Sequence, residues 1–155
     1  MKFSSREDIA APAEFVFDQL ADFSAFEEMA VVRGVEIRRK DTRTSPGRGM
    51  KWEVSFAFRG KARKLDAEVT RYDRPDRLEY QGQSPSFELV LEVSLVALTR
   101  ARTRMQMGLE VKPRTLGARL MVQSAKLGRS KLDARFAKRI AGFARLIEAR
   151  HLTQA

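Results

Sequence analysis

The stretch "IAAPAEFVFDQLADFSAF", residues 9–26, runs from the end of a strand-like segment straight into a proline and then into two helical patterns. Upstream of it, "KFSSREDI" (2–9) places Phe3, Ser5, Glu7 and Ile9 on one face at period two. Pro12 suits a first helical position, where its missing N–H costs nothing. "PAEFVFDQLA" (12–21) then spaces Phe15, Val16, Leu20 and Ala21 for one helical face. "SAFE" (24–27) matches the capping-box pattern, with Ser24 as N-cap and Glu27 reaching back. A second short helix is therefore expected to about Val32, stopped by Gly34.

Outward from this opening, the pattern changes to strands separated by turn residues. "VEIRRK" (35–40) is followed by the turn-rich "TSPGRG" (44–49) and by "MKWEVSFAF" (50–58), in which Met50, Trp52, Val54, Phe56 and Phe58 alternate with polar residues. Gly60 supplies a tight hairpin. "KLDAEVTRY" (64–72) turns Leu65, Ala67 and Val69 inward, and "LEYQGQ" (78–83) carries Leu78 and Tyr80. "SFELVLEVSLVAL" (86–98) aligns Phe87, Leu89, Leu91, Val93 and Leu95, and "RTRMQMGLEVK" (102–112) aligns Thr103, Met105, Met107, Leu109 and Val111. Seven strands result, six of them consecutive neighbours in an antiparallel meander.

From about Arg114 to Arg150 the pattern is helical. Leu132, Phe136, Ile140, Phe143 and Ile147 fall within a stripe roughly 80° wide at about 100° per residue. Lys131, Arg135, Lys138 and Arg145 point elsewhere. Further upstream, Ala118, Met121, Val122 and Ala125 continue the apolar stripe, while Leu116, Leu120 and Leu127 project to the opposite side. Gly128 is placed to kink the helix. The misplaced leucines imply contact with a partner, a membrane surface or the mouth of a cavity, unless a bend packs them inside.

The composition excludes much. There is no cysteine and a single histidine among 155 residues, so thiolate and disulfide chemistry is out and no transition-metal set presents itself. No phosphate loop, nucleophile elbow or dinucleotide fingerprint occurs. His151 lies near the chain end beyond the apolar stripe, where an exposed, frayed position is expected and a desolvated general base is not. No signal-peptide pattern and no run of eighteen apolar residues occurs, which suits a cytoplasmic single domain over 1–155. The net charge of +10 is uneven: residues 115–155 hold nine of the basic and only two of the acidic residues. Such an excess suits an anionic membrane surface or RNA, or simply a solvated helix face.

The order strand, two short helices, six-stranded meander, long C-terminal helix resembles the START/birch-pollen-allergen superfamily (SRPBCC), and within it the polyketide cyclase/dehydrase-type branch. The opening stretch is similar to that superfamily's common start, a strand ending in Ala-Pro before a helix with an apolar-aromatic pair. The resemblance implies an α+β helix-grip fold, in which a curved seven-stranded antiparallel sheet wraps a long C-terminal helix. It also implies an apolar cavity between them for a sterol, phospholipid, quinone or polyketide.

Trp52, Phe56, Phe58, Tyr80, Phe87, Leu91, Met105, Met107, Phe136, Ile140 and Phe143 are the residues whose phase turns them toward that space. The same set would serve a filled core. Glu7, Arg39 and Arg71 share a phase with inward sets and are candidate ligand anchors or internal ion pairs. The expectation is binding of a hydrophobic small molecule or lipid, without a cofactor and without chemistry. A polyketide cyclase/aromatase-like enzyme is the first alternative. A membrane- or ribosome-associated module working through the basic C-terminal helix is the second, and a homodimer is a further partner to test.

Overall fold

The structure is a computed structural model that describes residues 1–58 and 60–154. Strand β1 (Lys2–Ile9) is followed by helices α1 (Ala13–Leu20) and α2 (Phe23–Val32). Strands β2 (Glu36–Arg39), β3 (Lys51–Phe58), β4 (Lys61–Asp73), β5 (Arg77–Gln83), β6 (Phe87–Thr99) and β7 (Arg102–Pro113) come next. Helices α3 (Leu116–Lys126) and α4 (Arg129–Thr153) complete the chain. The sheet runs in the order β1-β7-β6-β5-β4-β3-β2, and every pairing is antiparallel. The first strand thus pairs with the last, which places the start of the chain beside its C-terminal segment.

Pairing carries the inward alternation across the sheet. Ile37, Val54, Leu65 and then, one step along, Ala67, Gly82, Leu89, Val111 are cross-strand neighbours. Tyr80, Leu91, Leu109 and Phe3 form the next row, and Leu78, Val93, Met107 and Ser5 the one after. Because side chains alternate with period two, each row falls on one face of the sheet.

The helix starts depart from expectation. Pro12 is the N-cap of α1, in extended conformation, rather than its first residue. The buried face of α1 is Ala13, Val16, Phe17 and Leu20, spaced i, i+3, i+4, i+7. Phe15 points the other way and meets the His151 ring at 4.8 Å. Helix α2 is capped not by Ser24 but by Asp22, whose Oδ1 accepts from the Ala25 N–H at 3.2 Å. A carboxylate two residues earlier satisfies an orphan amide of the first turn, and Glu27 is left for another partner. Gly34 ends the helix at φ +75, a left-handed conformation that suits glycine.

The C-terminal segment is broken at Leu127–Gly128 into α3 and α4. Thr115 caps α3 by accepting from the Ala118 N–H at 3.1 Å. Helix α4 lies along β1, its Ile140, Ala144 and Ile147 buried. Arg145 donates to the Asp8 carbonyl at 2.9 Å and pairs with Glu7 at 3.3 Å, and Glu148 accepts from the Ala10 N–H at 2.7 Å. Glu7 is therefore half of an ion pair that docks α4. His151 lies inside α4, in tilted ring contact with Phe15 and partly buried, not frayed and exposed.

Arg71 is also corrected. The β4–β5 register shifts at Thr70, where Val69 faces Tyr80 but Arg71 faces Glu79 and Tyr72 faces Leu78. The extra residue of this bulge flips the alternation. Arg71 turns to the outer face, bonded to Asp73 at 2.6 Å, and Tyr72 turns inward against Phe17 at 5.1 Å.

Candidate functional site

Two hollows follow one another along the concave face. The inner one, 160 Å³, lies beneath α2 and is lined by Phe23, Phe26, Glu27, Ile37, Trp52, Val54, Ala67 and Tyr80. Its rings are closely set, with Phe23 at 5.3 Å from Trp52 and 6.1 Å from Tyr80. The polar tips of Trp52 and Tyr80 are occupied. Trp52 Nε1 donates to Glu27 Oε1 at 2.8 Å, and the Tyr80 hydroxyl donates to the Leu20 carbonyl at 3.0 Å. Burial pushes the Tyr80 phenol well above its usual range, so it stays a neutral donor.

The outer hollow is larger, 480 Å³, within the size of pockets that hold small organic ligands. The ends of β3 and β4 supply Phe56, Phe58, Ala62, Arg63 and Leu65, and the β5–β6 turn supplies Ser84, Pro85, Ser86 and Phe87. Leu89, Val111 and Met121 close it, so its helical wall is α3 and not α4. Its rim residues Phe58, Ala62, Lys64 and Pro85 are exposed, which opens the hollow to solvent. Gly82 contributes by what it lacks: a Cβ there would meet Leu65 Cδ1 at 3.2 Å. The turn at its far end is held by Arg114, which donates to the Ser84 carbonyl at 2.9 Å.

The residues expected to face the cavity separate into three groups. Phe56, Phe58 and Phe87 line the outer hollow, and Trp52 and Tyr80 the inner one. Leu91, Met105, Phe136, Ile140 and Phe143 line neither and belong to the core, Phe136 stacking on Phe3 at 5.8 Å. Met107 is also core, and it borders a 260 Å³ groove on the opposite, convex face around Gly108. Arg39 bonds Asp41 at 2.7 Å with its guanidinium 6.0 Å from the Trp52 ring, and so anchors the β2–β3 loop. Sequence reasoning missed Leu65, Leu89, Arg63 and Met121 as liners. Leu65 and Leu89 were visible as inward residues, and Arg63 was reachable by extending the β4 alternation one step past Leu65.

The exposed leucines of α3 and its C-cap do not fold inward. Leu116, Leu120 and Leu127 are 74%, 62% and 91% exposed, because only Ala118 and Val122 of this helix are buried. Arg119 and Lys126 beside them are exposed as well, whereas Arg129 is tied down, donating to the Lys2 carbonyl with its guanidinium 5.3 Å from the Phe3 ring. No group of three or more metal-ligating side chains occurs among the described residues. No helix among them is long and apolar enough to cross a membrane.

A curved antiparallel sheet gripping a C-terminal helical segment, with an apolar hollow between, defines a helix-grip protein of the START/birch-pollen-allergen class. The chain belongs to the polyketide cyclase/dehydrase and lipid transport family, whose sequence profile matches residues 1–148. Similar solved structures include TTHA0849 of Thermus thermophilus, 14% identical, TM-score 0.66, covering 97% of this chain and 99% of that one. The Zhui aromatase/cyclase of Streptomyces sp. R1128 is 16% identical, with TM-score 0.62 over 94% of this chain and 93% of its own. A START superfamily protein of Mycobacterium smegmatis is 16% identical, with TM-score 0.56 over 86% of this chain and 95% of its own. At these identities the likeness speaks for the fold. A search of curated protein sequences finds no match.

Proposed function

We propose that the chain binds a hydrophobic small molecule or lipid in the hollow between the sheet and α3, and performs no chemistry on it. The observation that carries this reading is the 480 Å³ space lined by Phe56, Leu65, Phe87, Leu89, Val111 and Met121, with no carboxylate or imidazole from the described residues in its wall. Apolar walls desolvate an apolar ligand, at roughly 25 cal/mol per Å² of buried surface. General acid–base work needs an ionisable group within reach of the substrate. Among the described residues, such groups in the inner hollow are Glu27 and Tyr80, which bond Trp52 and the Leu20 carbonyl. This disfavours the cyclase alternative. Protein purified from its own host is expected to carry a ligand by native mass spectrometry, and to gain thermal stability with lipids, quinones or polycyclic aromatics. Met121→Trp, which fills the hollow, is expected to abolish both effects. Strictly ligand-free protein with no thermal shift overturns the reading.

The solvent-facing leucines of α3 favour a second, compatible reading. An amphipathic surface of Leu116, Leu120 and Leu127 beside Arg119 and Lys126 matches an anionic bilayer in both apolarity and charge. Since α3 is also the wall of the hollow, docking there would bring the mouth to the source of the ligand. Co-flotation with vesicles containing anionic lipid, weakened by salt, is the expected result. Absence of flotation at low ionic strength removes this reading and leaves the first intact.

A further inference from the structure

The outer hollow contains one feature that an apolar ligand alone does not use. Arg63 is opposite Phe56 in the β3–β4 register and so shares its inward face. Its guanidinium lies 5.4 Å from the Phe58 ring. Among the described residues its buried Nε has no hydrogen-bond partner and the side chain makes no ion pair. The neighbouring cation Lys64, on the rim, pairs with Glu53 at 3.8 Å. No Asp or Glu among the described residues lines the hollow. Arg63 also borders a second, more open groove of 570 Å³ beside Glu36, and no ion pair joins the two among the described residues.

A partly buried guanidinium without a carboxylate is costly, since desolvation of a charge is repaid only by pairing and hydrogen bonding. Buried donors almost always have an acceptor, so an orphan beside an empty apolar space implies an acceptor that arrives with something else. The fixed fork of an arginine matches a carboxylate or phosphate in two bonds at once.

Building on the proposed binding function, we propose that Arg63 is the head-group anchor of the outer hollow. The ligand class it selects is an amphipathic anion, with an apolar body against Phe56, Leu65, Leu89 and Met121 and one carboxylate or phosphate on the guanidinium. The aromatic ring of Phe58 backs the cation and holds it at the mouth, where an acidic head can remain partly hydrated while its body is buried.

The test uses the full chain and three probes of one chain length: dodecanoate, dodecyl phosphate and dodecanol, titrated by calorimetry. A charge-assisted bond at a half-buried site is expected to give the anionic probes about a tenfold or greater advantage over the alcohol. Whichever anion is held more tightly tells a free acid from a phosphorylated lipid. Arg63→Met keeps the apolar stem and is expected to remove that advantage while leaving dodecanol affinity within about twofold. Lys51→Met, which removes an exposed cation of β3 that lies outside the hollow and pairs with Glu68 at 3.5 Å, is expected to change nothing.

Equal affinity of the wild type for all three probes overturns the anchor and leaves the cavity reading standing. Parallel weakening of the alcohol and the anions in Arg63→Met, or loss of the preference in Lys51→Met, also overturns the anchor. Failure of every probe to bind overturns the anchor and the cavity reading together. Circular dichroism of each variant confirms that the fold is kept.

Discussion

The two ends of the concave face share one sheet and one alternation of side chains, yet one is packed and the other is hollow. Under α1 and α2 the rings of Phe17, Phe23, Trp52, Tyr72 and Tyr80 interlock, the polar tips of Trp52 and Tyr80 are bonded, and 160 Å³ remains. Under α3 the ring of Phe58 is 45% exposed, the Arg63 Nε lacks an acceptor, and 480 Å³ is open. The difference comes from the cover. Two helices close the first end, and the bulge at Thr70 turns an additional ring into it. A single helix that buries only Ala118 and Val122 covers the second. Stability and binding are thereby assigned to opposite ends, an arrangement consistent with binding regions being drawn from the less stable parts of a fold.

The largest expected effect tests that division directly. Phe17→Ala removes a fully buried ring packed edge-on against Tyr72, and should cost about 3–5 kcal/mol in urea unfolding. Leu89→Ala, in a half-buried wall that already faces empty space, should cost about 1–2 kcal/mol. Equal losses would break the contrast between the ends. Next in size is Thr103→Val. Thr103 is the one buried polar side chain among the described residues, and its hydroxyl donates to the buried Ala11 carbonyl at 2.8 Å. Valine keeps the shape and leaves that carbonyl without this donor, an expected loss of about 1–3 kcal/mol by the same measurement.

A smaller, pH-dependent effect is expected at the rim of the packed end. Bonds from the Arg39 guanidinium, at 2.7 and 2.9 Å, hold the Asp41 carboxyl well below the usual carboxylate range, and the Lys51 and Arg43 amides add to this. Because the folded value is depressed, the ionised carboxylate favours the folded state. Its contribution is complete above the unfolded pKa of about 4 and is lost as pH falls further toward the folded value. Asp41→Asn should lower the urea midpoint at pH 7 and flatten its dependence on pH below about 5. An unchanged acid profile would mean that the β2–β3 loop does not support the packed end.

The packed end is the more legible of the two in the sequence. Period-two runs locate all seven strands, and the Ala-Pro opening locates both short helices, because backbone pattern depends on local residue order. Details decided by one residue escape such reading. The bulge at Thr70 reverses Arg71 and Tyr72, since a single unpaired residue inverts the alternation and leaves no compositional mark. Asp22 displaces Ser24 as cap, both being good capping residues two positions apart. The stripe of Phe136, Ile140 and Phe143 predicts cavity walls, but a helix stripe does not say which strand it covers, and α4 covers β1. Phe56 and Phe87 are found from phase alone; phase also turns Arg63 inward, but only its missing acceptor among the described residues marks it out within the site.

The smallest expected effect on stability is at the outward face of α3, and its size makes it informative. Leu120 is 62% exposed on the side of the helix away from Ala118 and Val122. Replacing it with serine removes apolar surface that the folded chain already leaves in water, so urea unfolding should move by less than about 0.5 kcal/mol. A core residue kept for packing would not behave this way. If the leucines serve the bilayer reading, Leu120→Ser together with Leu116→Ser should abolish flotation with anionic vesicles while probe binding in the hollow is retained. A loss of stability above about 1 kcal/mol would show instead that these side chains pack within the chain, and the open end would then be more like the closed one than its exposed leucines imply.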